Sequence, residues 1–219
     1  MMRYIATCLL GGLFILFSAL QVSLTGILLD DYKEGLSPKW EERSLEGKTV
    51  YQVTREDAEY CIKATSRASA SALYYRIEYD TREYPILKWR WKVSRVLSKG
   101  DALKRDGDDY AARVFVVFPS SVSWKGSVLV YVWASKLPKG QAVTNSHNSN
   151  FMMVAVESGS GGVGDWKEEQ RNVYEDYRKY FGGEPPKAGA IAIMTDTDNT
   201  AEQATAWYGP IWILPQLQH

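Results

Sequence analysis

Cysteine and histidine are nearly missing from this chain of 219 residues, and their scarcity removes several chemistries at once. The two cysteines are Cys8 and Cys61, and Cys8 falls in an apolar N-terminal run. With that run removed, Cys61 has no partner for an intrachain disulfide. In the stretch YCIKATS it reads as a small buried hydrophobe. Histidine occurs only at His147 and His219. The chain has no HExxH, no G-x-S-x-G elbow and no Cys–His pair, so zinc chemistry and nucleophilic hydrolysis lack their parts. His147, in TNSHNSN, reads as a solvated loop residue. A surplus of either charge is also lacking, since 26 basic residues meet 26 acidic ones. No basic field is present to hold a phosphate backbone, which argues against nucleic acid as a partner.

The first charge after Arg3 is Asp30, and an apolar run from Ile5 to Leu20 lies between them. A short positive region followed by an apolar stretch is the pattern of an export signal. The uncharged span from Tyr4 to Leu29 also suffices to cross a hydrocarbon core of ~30 Å as a helix. Residues 1–25 are therefore predicted to be a signal peptide or an N-terminal membrane anchor. The remainder, 26–219, is predicted to be one exported domain, periplasmic or extracellular, or held at the inner membrane if the segment stays uncleaved.

What is abundant is apolar and aromatic: 45% of residues are hydrophobic, with 8 Trp and 14 Tyr. About 190 residues with that composition can bury a substantial core. From Ile27 onward, short β-rich runs recur between turn signals. The clearest is LKWRWKV, where Leu87, Trp89, Trp91 and Val93 face one way and Lys88, Arg90 and Lys92 the other. Ala70–Tyr79, Ser127–Ala134 and Ala188–Asp196 are further strands. Tyr110–Phe118 and Asn150–Ser158 are central ones, and Thr205–Ile213 closes the pattern. Asn172 and Glu175 form an N-cap signature ahead of the stripe Val173, Tyr177, Tyr180 and Phe181. The predicted fold is all-β, an antiparallel sandwich or jelly roll with one short helix near 173–182. Ser98–Asp109 and Leu137–Asn150 are polar and suit the rim of a binding face.

Three patterns bear on chemistry. Gly159, Gly161 and Gly164 match G-x-G-x-x-G, but an antiparallel setting with one helix offers no βαβ unit, so a hairpin or rim loop is expected. Asp196, Asp198 and Asn199, and Asp106, Asp108 and Asp109, form acidic loops without the EF-hand spacing. Asx turns explain such loops, and the alternative is a structural calcium held by Asp30, Asp196 and Asp198. Arg90, Arg113, Tyr131, Trp133 and Trp207 are candidate ligand-binding residues if they share the concave sheet face. A sugar is held by aromatic faces under its C–H side and planar donors at its hydroxyls or carboxylate. The alternative is an Arg–Asp network across the sheet, with the aromatics filling the core. No residue is assigned a catalytic role.

The ordered motifs LLDDYKEGLSPKW, YPILKWRWKV, GDDYAARVFVVF, YVWAS, MTDTDNT and ATAWYGPIWI resemble the bacterial family catalogued as domain of unknown function 3047, from Ile27 to Ile213. The resemblance implies an exported bacterial protein with one β-rich domain similar to carbohydrate-binding sandwiches. It supplies no activity and no catalytic residues. The family pattern places an acidic residue after WYG, whereas this chain has Pro210, which weakens any site completed by that carboxylate. The leading expectation is a non-catalytic envelope module that binds a glycan or an acidic saccharide. A structural or protein-interaction module with an envelope protein as partner is the alternative. A carbohydrate-active hydrolase or lyase is a third, and would need two carboxylates facing one cleft.

Overall fold

The computed structural model describes residues 25–120 and 126–216. The predicted signal or anchor at 1–25 lies almost wholly outside the described residues. Among those residues no helix is long and apolar enough to cross a membrane.

The chain forms β1 (Ile27–Leu28), β2 (Trp40–Glu46), β3 (Val50–Glu56), β4 (Glu59–Arg67), β5 (Ala70–Tyr79) and β6 (Ile86–Val93). After a long loop come β7 (Arg113–Phe118), β8 (Ser127–Ala134), β9 (Ala142–Thr144), β10 (Phe151–Ser158) and β11 (Lys167–Asn172). Helix α1 (Val173–Phe181) precedes β12 (Ala188–Asp196), β13 (Gln203–Tyr208) and β14 (Trp212–Leu214). Two sheets result, which is the predicted sandwich.

In the first sheet β6 is central. It pairs with β11 on one side and with β13 and β14, end to end, on the other. The predicted single strand 205–213 is thus broken at Gly209-Pro210, because proline cannot donate to the ladder. A Cβ on Gly209 would lie 2.6 Å from Arg90 Cγ, so glycine lets the arginine cross the break. Then β4 pairs with β13, β3 with β4, and β1 with β14.

The second sheet runs β2-β5-β12-β7-β8-β10-β9. Here β8 and β10 are parallel, a departure from the antiparallel expectation. The glycine-rich segment 159–166 carries the chain from β10 in this sheet to β11 in the other, rather than closing a hairpin. Gly159 and Gly164 turn it at φ 70° and 87°, the left-handed region.

Aromatic rings join the layers. Trp89 stacks on Tyr131 with centroids 5.3 Å apart, and Trp91 lies 6.1 Å from Trp133. Trp89 and Trp91 meet edge to face at 5.5 Å. All four are buried, as the alternation of β6 requires, with Leu87 and Val93 beside them.

Helix α1 covers one end of this core. The Asn172 side chain accepts from the Glu175 amide at 3.0 Å, so the predicted N-cap forms. Asp176, buried in the first turn, takes both Nε and Nη2 of Arg171 on β11 and the hydroxyl of Tyr131 on β8. One carboxylate therefore links both sheets to the helix. Its removal leaves a buried hydroxyl and a half-buried guanidinium without their acceptor. Asp176→Ala should cost about 2–4 kcal/mol in denaturant unfolding, and a loss below about 0.5 kcal/mol would contradict this role.

Candidate functional site

The outer face of the second sheet carries the cleft. Arg113, Phe115 and Val117 of β7 project there, as do Tyr74 of β5, Met194 and Asp196 of β12, and Phe151 of β10. Val114, Val116 and Phe118, of opposite parity, enter the core. Three hollows of about 350, 380 and 250 Å³ lie along this face. They are joined by shared walls: Tyr74 lines all three, Phe115 and Phe151 line the first two, and Arg43 lines the last two. The result is one elongated groove with aromatic sides. Volumes of this order suit a small-molecule ligand.

Its two ends differ in charge. At one end are Arg43 and Arg76, with Arg76 held by Glu41 at 3.1 Å and Arg43 over the Tyr74 ring at 5.1 Å. At the other end are Asp108, Asp196, Asp198, Asn145, His147, Asn148 and Asn199 around Arg113. The two polar loops expected to form a rim supply several of these: Asp108 comes from the first, and Asn145, His147 and Asn148 from the second. Asn145 donates to Asp108 Oδ2 at 2.6 Å, which ties the loops together. His147 is exposed and donates from Nε2 to the Arg105 carbonyl at 2.9 Å.

Arg113 is only 7% exposed, and its charge is met in place. It pairs bidentately with buried Asp196, with Nε to Oδ1 at 2.8 Å and Nη2 on Oδ2. Nη2 also donates to the Asp108 carbonyl. The Tyr110 ring lies under the guanidinium at 4.8 Å.

The family model described as "Protein of unknown function (DUF3047)" matches residues 38–212. The chain belongs to this family. No curated protein matches the chain. Among solved structures, the family 11 carbohydrate-binding module of Clostridium thermocellum, in complex with a β-1,3-1,4-mixed-linked tetrasaccharide, is similar over 90% of this chain and 99% of that one, at 13% identity and TM-score 0.47. The family 30 carbohydrate-binding module of a C. thermocellum cellulosomal cellulase aligns over 89% and 100%, at 11% identity and TM-score 0.48. The K1 cleaved adhesin domain of Lys-gingipain from Porphyromonas gingivalis W83 aligns over 88% and 99%, at 10% identity and TM-score 0.44.

In this family member, the residues singled out from the sequence do not share one face. Tyr131 and Trp133 point into the core, where Trp133 Nε1 donates to the Gly159 carbonyl and Tyr131 donates to Asp176. Register decides this, since Tyr131 stands opposite Val114, not Arg113. Arg90 and Trp207 lie on the outer face of the first sheet. There Arg90 pairs with Glu59 at 2.8 Å and covers Trp166 at 4.2 Å, while Lys92 sits between Trp166 and Trp207. Each of those rings has a cation over it, as Tyr74 in the groove has Arg43. Of the five, only Arg113 reaches this groove, while Arg90 lines a separate hollow of about 360 Å³ on the first sheet, beside Glu59 and Trp212.

The expected cation set regroups as well. Asp30 is used locally, accepting from the Tyr32 and Ser37 amides and from Trp40 Nε1 at 2.9–3.1 Å. Instead Asp109 joins Asp196 and Asp198, with ligand atoms within 4.8 Å of one another. Asp109 already accepts from the Asn199 and Thr200 amides, and Asp196 from Arg113 and the Tyr110 amide. Asp198 Oδ1 is the one oxygen of the three carboxylates without a donor. Burial and then the Asp109 charge hold its carboxyl above the usual range. A calcium ion would fit here only by displacing those N–H donors.

A separate carboxyl pair lies between β10 and β11. Burial first, and then Glu157, push the Glu169 carboxyl up to about 7, against the lowering effect of Lys139. Trp91 Nε1 donates to it at 3.3 Å. Neither carboxyl lines the groove. Because the folded value is raised, the stability Glu169 contributes is fully present below about pH 4.5 and lost as pH rises through about 7. Allowing for solvent screening, Glu169→Gln should gain about 1–2 kcal/mol relative to the native chain at pH 8 and flatten the stability profile between pH 5 and 8. Parallel profiles for the two proteins would refute the assignment.

The Arg113–Asp196 pair yields a second expectation. Arg113→Ala should cost about 3–5 kcal/mol by stranding a buried carboxylate, whereas the double change Arg113→Met with Asp196→Leu should recover most of that loss. Equal destabilisation of both variants in denaturant melts would contradict a purely paired role.

Proposed function

We propose that the domain is a non-catalytic module that binds a saccharide chain along the groove on the outer face of the second sheet, and that it does so outside the cytoplasm, at the cell envelope. The observation that carries this reading is the row of connected hollows walled by Tyr74, Phe115 and Phe151, with hydrogen-bonding groups concentrated at one end. Aromatic side chains suit the C–H faces of sugar rings, and Asn, Asp and His suit their hydroxyls. An elongated groove accommodates several rings in line, which a single closed cavity does not.

Binding without cleavage is supported by the state of the carboxylates. A glycosidase needs one carboxyl free to give a proton and a second facing it across the scissile bond. Here Asp196 is held by a guanidinium and Asp108 is tied to Asn145, so of the three lining carboxyls Asp198 alone is poised to give a proton, without a second untied carboxyl to act with it. Of the two ligand kinds expected from the sequence, a saccharide without carboxylates suits this end better, because three aspartates line it against one arginine that is already paired.

Phe151 tests the reading, since it lines two of the hollows while staying partly exposed at the start of its strand. Phe151→Ala should weaken binding to whichever soluble oligosaccharide a glycan array identifies by about tenfold or more, with the fold retained. Trp207→Ala, on the opposite sheet, should leave affinity within about twofold. The reverse pattern would overturn the choice of face, and a blank array would overturn saccharide binding itself.

A further inference from the structure

Resting on the saccharide reading, we propose that the Asp108–Asp198 end of the groove recognises an amino sugar carrying a free ammonium group. Asp108, Asp196 and Asp198 line this end, and the only cationic side chain of unvarying charge beside them is Arg113, whose guanidinium is bound bidentately by Asp196. The lining charge is therefore three negative against one positive, and the remaining polar side chains are the neutral amides Asn145, Asn148 and Asn199 with His147. Asp109 adds a further carboxylate behind Asp198.

Hydrogen bonding points the same way. Asp108 is 7% exposed, and neither its Oδ1 nor Asp198 Oδ1 meets a donor at good hydrogen-bond geometry, with the Tyr110 hydroxyl beside the first carboxylate and Asp109 beside the second. Buried carboxylate oxygens are costly when unpaired, and an ammonium group supplies three donors together with the missing charge. Tyr74, Phe115 and Phe151 stand beside the aspartates, so a sugar ring against those walls can direct its C2 substituent at the acidic end. Rings of this kind also favour a cation within ~6 Å. The far end, with Arg43 and Arg76, shows no such preference, so the requirement falls on the residue at the acidic end and not on the whole chain.

Three disaccharides of one shape separate the possibilities: cellobiose, the β-1,4-linked glucosamine disaccharide and N,N′-diacetylchitobiose carry a hydroxyl, an ammonium or an acetamide at C2. In a titration followed by amide chemical shifts at pH 6 and low salt, the glucosamine disaccharide should bind about tenfold tighter than cellobiose. Asp198→Asn should remove that advantage, bringing the ratio of the two affinities to about one, and salt should weaken only the ammonium ligand. Cellobiose binding as well as or better than the ammonium form would overturn the inference and leave the saccharide reading intact. Absence of binding by all three, together with a blank glycan array, would overturn both. An advantage that persists in folded Asp198→Asn but vanishes in Asp108→Asn would place the ammonium on Asp108 and still support the charge assignment. One that persists in both variants would refute it.

Discussion

The packing of Trp89 on Tyr131 and of Trp91 on Trp133 sets the distance and alignment of the two sheets. Large aromatic side chains bury 150–250 Å² each, so four of them supply a large share of the inter-sheet contact in a few positions. Their placement fixes the parity of β6 and β8, and through the ladder the parity of β7 and β10. Once Tyr131 faces inward, Val132 and its neighbour Arg113 must face outward. The groove is thus the reverse side of the aromatic core.

That reverse side tolerates charge only where charge is matched. Arg113 lies on a sheet face among Val130, Val132, Met153 and Ala192, and Asp196 on the adjacent strand neutralises it. Asp196 also accepts from the Tyr110 amide, and Asp109 from the turn at Asn199–Thr200, so the pair orders the loop that walls the acidic end. Arg113 is better seen as a positioning residue for that wall than as a direct ligand contact. On the first sheet, Arg90 and Lys92 stand over Trp166 and Trp207, much as Arg43 stands over Tyr74 in the groove.

Strands with strong alternation or continuous apolar character were legible from the residues alone. LKWRWKV shows the expected inward and outward sets, and Ala70–Tyr79, Ser127–Ala134 and Ala188–Asp196 keep their predicted limits. The strands WEERSLE and KEEQRN were missed because both lie at sheet edges and carry mostly polar side chains, with no apolar face to give a period. Strand direction was also hidden, since a period of two is the same whether β8 and β10 run parallel or not. For the site, Arg113 and Asp196 were found by their charge amid apolar runs, and the Arg–Asp network weighed as the alternative is the pairing observed between them. Placing Tyr131 and Trp133 required the register across β7 and β8, a long-range property that spacing within one strand does not contain. Phe115 shares Arg113's parity and was the overlooked signal for the groove wall.

The most direct test of which face binds is an amide-resolved NMR titration of the described domain with soluble cello-, chito- and glucosamine oligosaccharides. Shifts confined to Asn145, Asn148, Phe151 and Asn199, with the first sheet silent, are the predicted result. Shifts centred on Trp166, Trp207 and Trp212 would place binding on the first sheet and contradict the account.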